Sequence, residues 1–320
     1  MQKDILFIDA SCKSREKYLL GKEKYQRLID AQSYKDSLKL LREFGFSQKS
    51  PEDADISTLL YNEEEDLIDF IKEYAPKGGV NNYFLLPYDF INAEALLKCQ
   101  KLGLSEQKYL THQGVLTIDE LKDALLGKPC EIKEINKAFT TALELFETTT
   151  PTGAMIDTIF TTNMYLAMRR LVKNSTTLKF INREIDLKNI SIILRSQSLE
   201  EYYNLKLPSN TLNKGLEEVL IGKDKQKILQ AFKRHDLYPF IEKAVAEMGS
   251  PLVNFEKLSE SYNLSMLKET RFFNRGVEPY LLYVCYRKAD IKNVRLIMVS
   301  LRSGVDKESI KQKLRDSYQS

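Results

Sequence analysis

Three stretches of this chain place apolar residues at the same positions behind the same polar pair. "YDFINAEALLKCQ" (88–100), "IDLKNISIILRSQ" (185–197) and "ADIKNVRLIMVSL" (289–301) carry Asp-x-x-Asn at Asp89/Asn92, Asp186/Asn189 and Asp290/Asn293. Behind the pair the apolar positions coincide: Phe90, Leu187 and Ile291; Ala93, Ile190 and Val294; Leu97, Leu194 and Met298. Steps of three and four residues follow one face of an α-helix, so each stretch is predicted to bury one stripe of a helix. Asn is a poor residue for a helix interior because its amide competes for backbone hydrogen bonds. The recurring pair therefore reads as structural, either as helix caps or as amides bonded to a neighbouring helix, with a binding role as the alternative.

Two other markers keep the same order. "GAMIDTIFTTNMYLAM" from Gly153 and "SPLVNFEKLSESYNLSM" from Ser250 set Asp157 against Asn254 and Tyr165 against Tyr262, both 97 residues apart. "EEEDLIDFIKEYA" from Glu63 is too diverged to align with them. A Gly-Lys pair appears in "YLLGKEKYQRL" (Gly21), "ALLGKPCEI" (Gly127) and "VLIGKDKQK" (Gly222), at offsets of 106 and 95. A glycine just past an apolar-periodic segment is a helix stop signal, so each pair is expected to end the first helix of a repeating unit. The chain then divides into units at 1–117, 118–215 and 216–320. Helix breaks are expected at 75–82, 148–154, 206–215 and 247–253, where Pro, Gly, Ser and Asn cluster.

The Gly-Lys pairs are not phosphate loops. Such a loop needs a glycine five residues earlier and a Ser or Thr after the lysine. Here Glu16, Lys122 and Glu217 stand at the first position and Glu23, Pro129 and Asp224 at the second. No nucleotide or other cofactor is expected.

Composition supports a helical protein with substantial cores. The 320 residues are 43% apolar and include only 13 Gly and 9 Pro. The 48 basic and 45 acidic residues are interspersed, for a net charge of +3, which gives no concentrated basic face for nucleic acid. The apolar run "ILFIDA" is too short for a signal peptide and no segment approaches ~20 apolar residues, so a cytoplasmic chain without a membrane span is expected. Cys12, Cys99, Cys130 and Cys285 lie far apart, and neither His112 nor His235 has a second ligand nearby, so no metal site is signalled.

No constellation of nucleophile, base and orienting group is visible, and no catalytic residue is assigned. The acidic run "NEEEDL" reads as a solvated helix face. In "RFFNRGVEPYLLYVCYRK" (271–288), Tyr280, Tyr283 and Tyr286 recur at helical spacing and read as packing rather than as a stacking platform for bases. Arg169, Arg170, Arg183, Arg195, Arg271, Arg275, Arg287 and Arg295 gather in the last two units and are candidates to face an acidic partner.

The C-terminal stretch "EPYLLYVCYRKADIKNVRLIMVSLRSGVDKESIKQKLR", with Glu278, Pro279, Asn293 and Arg295, resembles the end of the C subunit of bacterial and archaeal V/A-type rotary ATPases, known in eukaryotes as the d subunit. "IDLKNISIILRSQ" is similar to that family's second-unit motif, and "KEKYQRLIDAQSYKDSLKLLRE" to its first helices. The resemblance implies an all-α fold of three similar helical domains around a pseudo-threefold axis, forming a funnel. It implies a non-catalytic central-stalk component whose mouth receives the rotor shaft of the ATPase head and whose base sits on the membrane proteolipid ring. Arg169, Arg170, Arg183, Arg195, Arg275 and Arg295 are then the candidate shaft contacts. The alternative is a helical scaffold that binds a peptide or helix in a central concavity.

Overall fold

The computed structural model describes residues 4–209, 211–249, 252–270 and 276–318. Among them the chain is all-α, and its single β-bridge is the isolated parallel contact between Gly21 and Tyr318. In chain order the elements are α1 (Ile5–Glu16), α2 (Lys22–Asp30), α3 (Tyr34–Glu43), α4 (Ile56–Tyr74), α5 (Asn81–Leu102) and a 3₁₀ turn (Glu106–Lys108). There follow α6 (Ile118–Leu125), α7 (Lys133–Thr148), α8 (Gly153–Leu171), α9 (Ser175–Arg195) and α10 (Leu199–Leu205). The last are α11 (Lys214–Ile221), α12 (Lys225–Phe232), α13 (Tyr238–Ala246), α14 (Leu252–Thr270), α15 (Glu278–Arg302) and α16 (Lys307–Lys313).

Each of the four expected breaks spans the described gap between two helices and overlaps a helix end, with residues 210, 250 and 251 outside the described residues. The residues that begin the helices explain much of this, because a short polar side chain can satisfy an otherwise orphaned N–H of the first turn. Asp55 accepts from Thr58 N at 2.8 Å to start α4, Thr152 accepts from Met155 N at 3.3 Å to start α8, and Asn174 accepts from Thr177 N at 2.9 Å to start α9. Thr117 and Glu120 form a reciprocal capping box at α6.

An element order recurs along the chain. α4, α8 and α14 are each 19 residues long, and each precedes a longer helix, α5, α9 or α15, that carries Asp-x-x-Asn. α4 thus fills the place for which residue identity offered no alignment. A short element then follows each long helix: the 3₁₀ turn, α10 and α16.

In space the chain forms two compact units, one of residues 1–76 with 250–320 and the other of residues 77–249. In the second, Phe90, Leu97, Phe139, Phe160, Met168 and Ile185 belong to one core that joins α5, α7, α8 and α9. Phe139 and Phe160 meet edge to face at 5.7 Å, and burial of side chains of this size is worth roughly 1.5–3 kcal/mol each. In the first unit α15 packs against α4. Phe70 lies edge-on to Tyr283 at 5.0 Å, and Tyr280 donates to the carbonyl of Ile71 at 3.3 Å. Tyr280, Tyr283 and Tyr286 are all buried, as the packing reading required.

Candidate functional site: three backbone clasps and the charged groups around them

The recurring asparagines are buried in mid-helix, and each clasps the backbone of one residue downstream. Asn92 donates to the carbonyl of Thr111 at 2.7 Å and accepts from its N–H at 2.9 Å. Asn189 treats Leu207 in the same way at 3.0 and 2.8 Å, and Asn293 treats Arg315 at 3.1 and 2.9 Å. A primary amide has a donor and an acceptor side by side, so it can replace a missing strand partner for an extended residue. The expectation of a cap or a helix-to-helix bond is therefore corrected: the partner is the main chain of a connecting segment. Such a segment would otherwise bury an unpaired N–H and C=O.

The aspartates three residues earlier hold the segment that leads into the next short helix. Asp89 accepts from the N–H groups of Val115 and Leu116 at 3.0 and 2.9 Å, one residue before the Thr117 cap of α6. Asp186 accepts from the hydroxyls of Ser209 and Thr211, just before the Asn213 cap of α11. Asp290 accepts from Leu20 N at 3.0 Å and from the Tyr25 hydroxyl, at the start of α2. Gly114 belongs to the first of these sites. A β-carbon there would overlap the Asp89 carboxylate, so the close approach requires glycine. Its place in "THQGVL" gave no periodic signal to find it by.

Around Asp290 the clasp is charged. Arg287, one helical turn earlier on α15, pairs with Glu63 of α4, donates to the Tyr18 carbonyl at 3.0 Å, and lies 3.5 Å from Asp290. All three ionic side chains are buried. Burial drives the Asp290 carboxyl up to about 6 despite the Arg287 guanidinium, the Tyr25 hydroxyl and the Leu20 amide, which favour its charged form. Burial alone would lower the Arg287 pKa, but the Glu63 and Asp290 carboxylates outweigh it and hold it above the usual value. Arg287 is thus a structural cation, not one that faces a partner. Three-residue spacing from Asp290 was the available signal for that pair, while Glu63 lay hidden in an acidic run.

The glycines divide. Gly127 follows α6 in a left-handed conformation (φ +86), as expected of a stop signal, and Gly222 ends α11 in a right-handed conformation, with the left-handed turn falling on Lys223 (φ +56). Gly21 does not end a helix: it is the N-cap residue of α2, in extended conformation. Its structural counterparts are the caps Thr117 and Asn213, so its Gly-Lys match to the other two is coincidental.

Most of the candidate arginines have local partners. Arg170 forms a two-pronged pair with Glu134 at 2.8 and 2.9 Å and joins α8 to α7. Arg169 donates to Asn182 Oδ1 at 2.8 Å, and Arg183 is half-buried on α9. Arg195 is exposed, its Nε on the Ser191 carbonyl at 3.0 Å, and Arg295 is exposed at 3.9 Å from Glu64. Arg271 and Arg275 lie outside the described residues. His235 accepts from Leu237 N at 3.1 Å and His112 is exposed. Burial pushes the Cys12 thiol up to about 12, which leaves it a packing residue. Among the described residues no group of three or more His, Cys, Asp or Glu is placed to hold a metal ion, and no helix is long and apolar enough to cross a membrane.

What the geometry builds is a joined set of helices held by backbone clasps, with its best-formed polar contacts turned inward. Comparison with known proteins finds relatives over nearly the whole chain. A family model described as "ATP synthase (C/AC39) subunit" matches residues 8–313. The C subunit of the V-type sodium ATPase of Enterococcus hirae is 22% identical over 320 residues, covering 96% of both chains. The C subunit of the A-type ATP synthase of Pyrococcus horikoshii is 23% identical over 344 residues, covering 95% of this chain and 88% of its own. With the family model spanning nearly all of its length, the chain belongs to the ATP synthase (C/AC39) subunit family.

Proposed function

We propose that this protein is a non-catalytic central-stalk subunit of a V/A-type rotary ATPase, which couples the rotor shaft of the ATPase head to the proteolipid ring and so serves ion transport. The observation that carries the reading is the match of the family model from residue 8 to residue 313, supported by V-type and A-type relatives that align over nearly their whole length. The fold suits the role. A body that transmits torque must resist shear between its helices, and the clasps tie connecting segments to long helices without relying on apolar contact alone.

In this reading the three sequence units 1–117, 118–215 and 216–320 are arranged as a funnel around a pseudo-threefold axis. The shaft enters the mouth, the base meets the ring, and the protein sits on the cytoplasmic side, peripheral to the membrane. The exposed guanidinium groups of Arg195 and Arg295 are the best placed of the candidate shaft contacts, because neither is committed to a buried pair. Mixing the purified protein with central shaft subunits tests the assignment: a stoichiometric complex on gel filtration is expected, and its absence would reject the coupling role. The double variant Arg195→Glu/Arg295→Glu is expected to weaken that complex by ~10-fold or more with an unchanged melting temperature. Unchanged affinity would move the shaft contact elsewhere.

A further inference from the structure

The three clasps differ in how their two anchors are connected. On α5, Asn92 holds Thr111 and Asp89 holds Val115 and Leu116, so both anchors act on one short, continuous stretch of chain. On α9, Asn189 holds Leu207 and Asp186 holds Ser209 and Thr211, again within a few residues. When one anchor opens, the short link keeps the other end at high effective concentration, and the two re-form together.

On α15 the anchors act on stretches from opposite ends of the sequence. Asn293 holds Arg315, and Asp290 holds Leu20, a bond spanning 270 residues. The end of residues 314–318 meets the segment before α2 in the same direction, through the parallel bridge between Tyr318 and Gly21. Together they occupy the place that one continuous segment fills on α5 and α9. The anchoring is also unequal. Leu20, Tyr25 and Asp290 are fully or almost fully buried, whereas of residues 314–318 Ser317 and Tyr318 are buried but Leu314, Arg315 and Asp316 are half-buried; Arg315 leans on Glu260 at 2.8 Å, beside a Lys268–Asp316 pair at 3.8 Å. The Tyr318 hydroxyl donates to Glu16, and its ring meets Tyr286 edge-on at 5.6 Å.

We infer that residues 314–318 form a strap that can leave α15 on its own, while Leu20 stays bound to Asp290. The α15 clasp is therefore a joint with two independent halves, whereas the α5 clasp opens as one. Strap release uncovers Gly21, Tyr286 and Glu16 without unfolding the helices beneath. This inference does not depend on the rotary assignment.

Residue-resolved hydrogen exchange of the full chain under native conditions tests it. The Arg315 amide is expected to exchange at least ~10-fold faster than that of Leu20, while Thr111 and Leu116 share one opening free energy. Equal protection of Arg315 and Leu20, together with a common response to denaturant, would overturn the independence of the two halves. In the Asn293→Ala variant exchange should rise at Arg315 and stay within about twofold at Leu20; in Asn92→Ala it should rise at Thr111 and Leu116 alike. If Leu20 follows Arg315 in the first variant, the strap is an integral piece of the joint and the inference fails. The wild-type measurement decides the matter if a variant does not fold.

Discussion

The clasps on α5 and α9 and the clasp on α15 solve the same problem with different chemistry. On α5 and α9 the aspartates accept from backbone amides or small hydroxyls, and the held segment is close in sequence. On α15 the aspartate sits among Tyr25, Arg287 and Glu63, and it joins segments far apart in the chain. A contact that closes a long loop must overcome more chain entropy than one that closes a loop of about twenty residues, although the cost grows only logarithmically. Asp290 of the long-range clasp sits in a charged set, which carries the vulnerability of any buried ion cluster: removal of one member strands the others.

The sharpest way to break that difference is Arg287→Ala. Glu63 and Asp290 would be left buried without their cation, and urea denaturation is expected to show a loss of about 3–5 kcal/mol. Arg287→Met combined with Glu63→Leu should recover much of that loss. If Arg287→Ala costs under about 1 kcal/mol, the cluster does not close the first unit.

Asn189→Ala tests the neutral form of the clasp. It removes both bonds to Leu207 and leaves a buried N–H and C=O unpaired, so a loss of about 1–3 kcal/mol is expected, smaller than for Arg287→Ala. An equal loss in the two variants would erase the distinction drawn between them.

Acidity separates the clasps further. The Asp290 carboxyl is raised from 3.8 to about 6 in the folded protein, so the native state binds its proton more readily than the unfolded chain does. Its contribution to stability is therefore fully present below the unfolded pKa and is lost as pH rises through about 6. Carboxylates held low, such as Glu134 and Asp157, act in the opposite direction, and Glu94, raised to about 7, acts in the same one. The measurement is accordingly a difference. Relative to Asp290→Asn, the wild-type protein should gain on the order of 1–2 kcal/mol between about pH 7 and about pH 4. A flat difference would show that the Asp290 proton affinity is unchanged by folding.

The smallest effect is expected at the surface of the second unit. Arg170 is about a third exposed in its pair with the buried Glu134, and glutamine keeps a donor within reach of that carboxylate, so Arg170→Gln should cost about 1 kcal/mol, and less at high salt.

Much of this fold can be read from the chain. Periodic apolar positions behind Asp89, Asp186 and Asp290 marked the three long helices, and clustered Pro, Gly and Asn marked the breaks. Both signals are local, set by helical spacing and by the start and stop chemistry of single helices. The Gly-Lys recurrence misled at Gly21, because two residues carry too little information to separate a helix stop from a helix start. The candidate arginines misled at Arg287, buried between Glu63 and Asp290, since an arginine in sequence does not reveal whether a carboxylate waits on another helix. Gly114 carries no local signal because its constraint comes from Asp89, on a different element.

Local patterns along the chain are enough to show that it is helical, that a long helix with a recurring polar pair appears three times, and that no Gly-Lys pair has the spacing of a phosphate loop. Each of these depends on residues within a few turns of one another. Tertiary structure alone decided what the pair holds, which charges are buried, and that the α15 clasp joins segments 270 residues apart. Hydrogen bonds to backbone carry no residue identity on the accepting or donating segment. Thr111, Leu207 and Arg315 share nothing but their main chain, and no reading of side chains alone could have matched them.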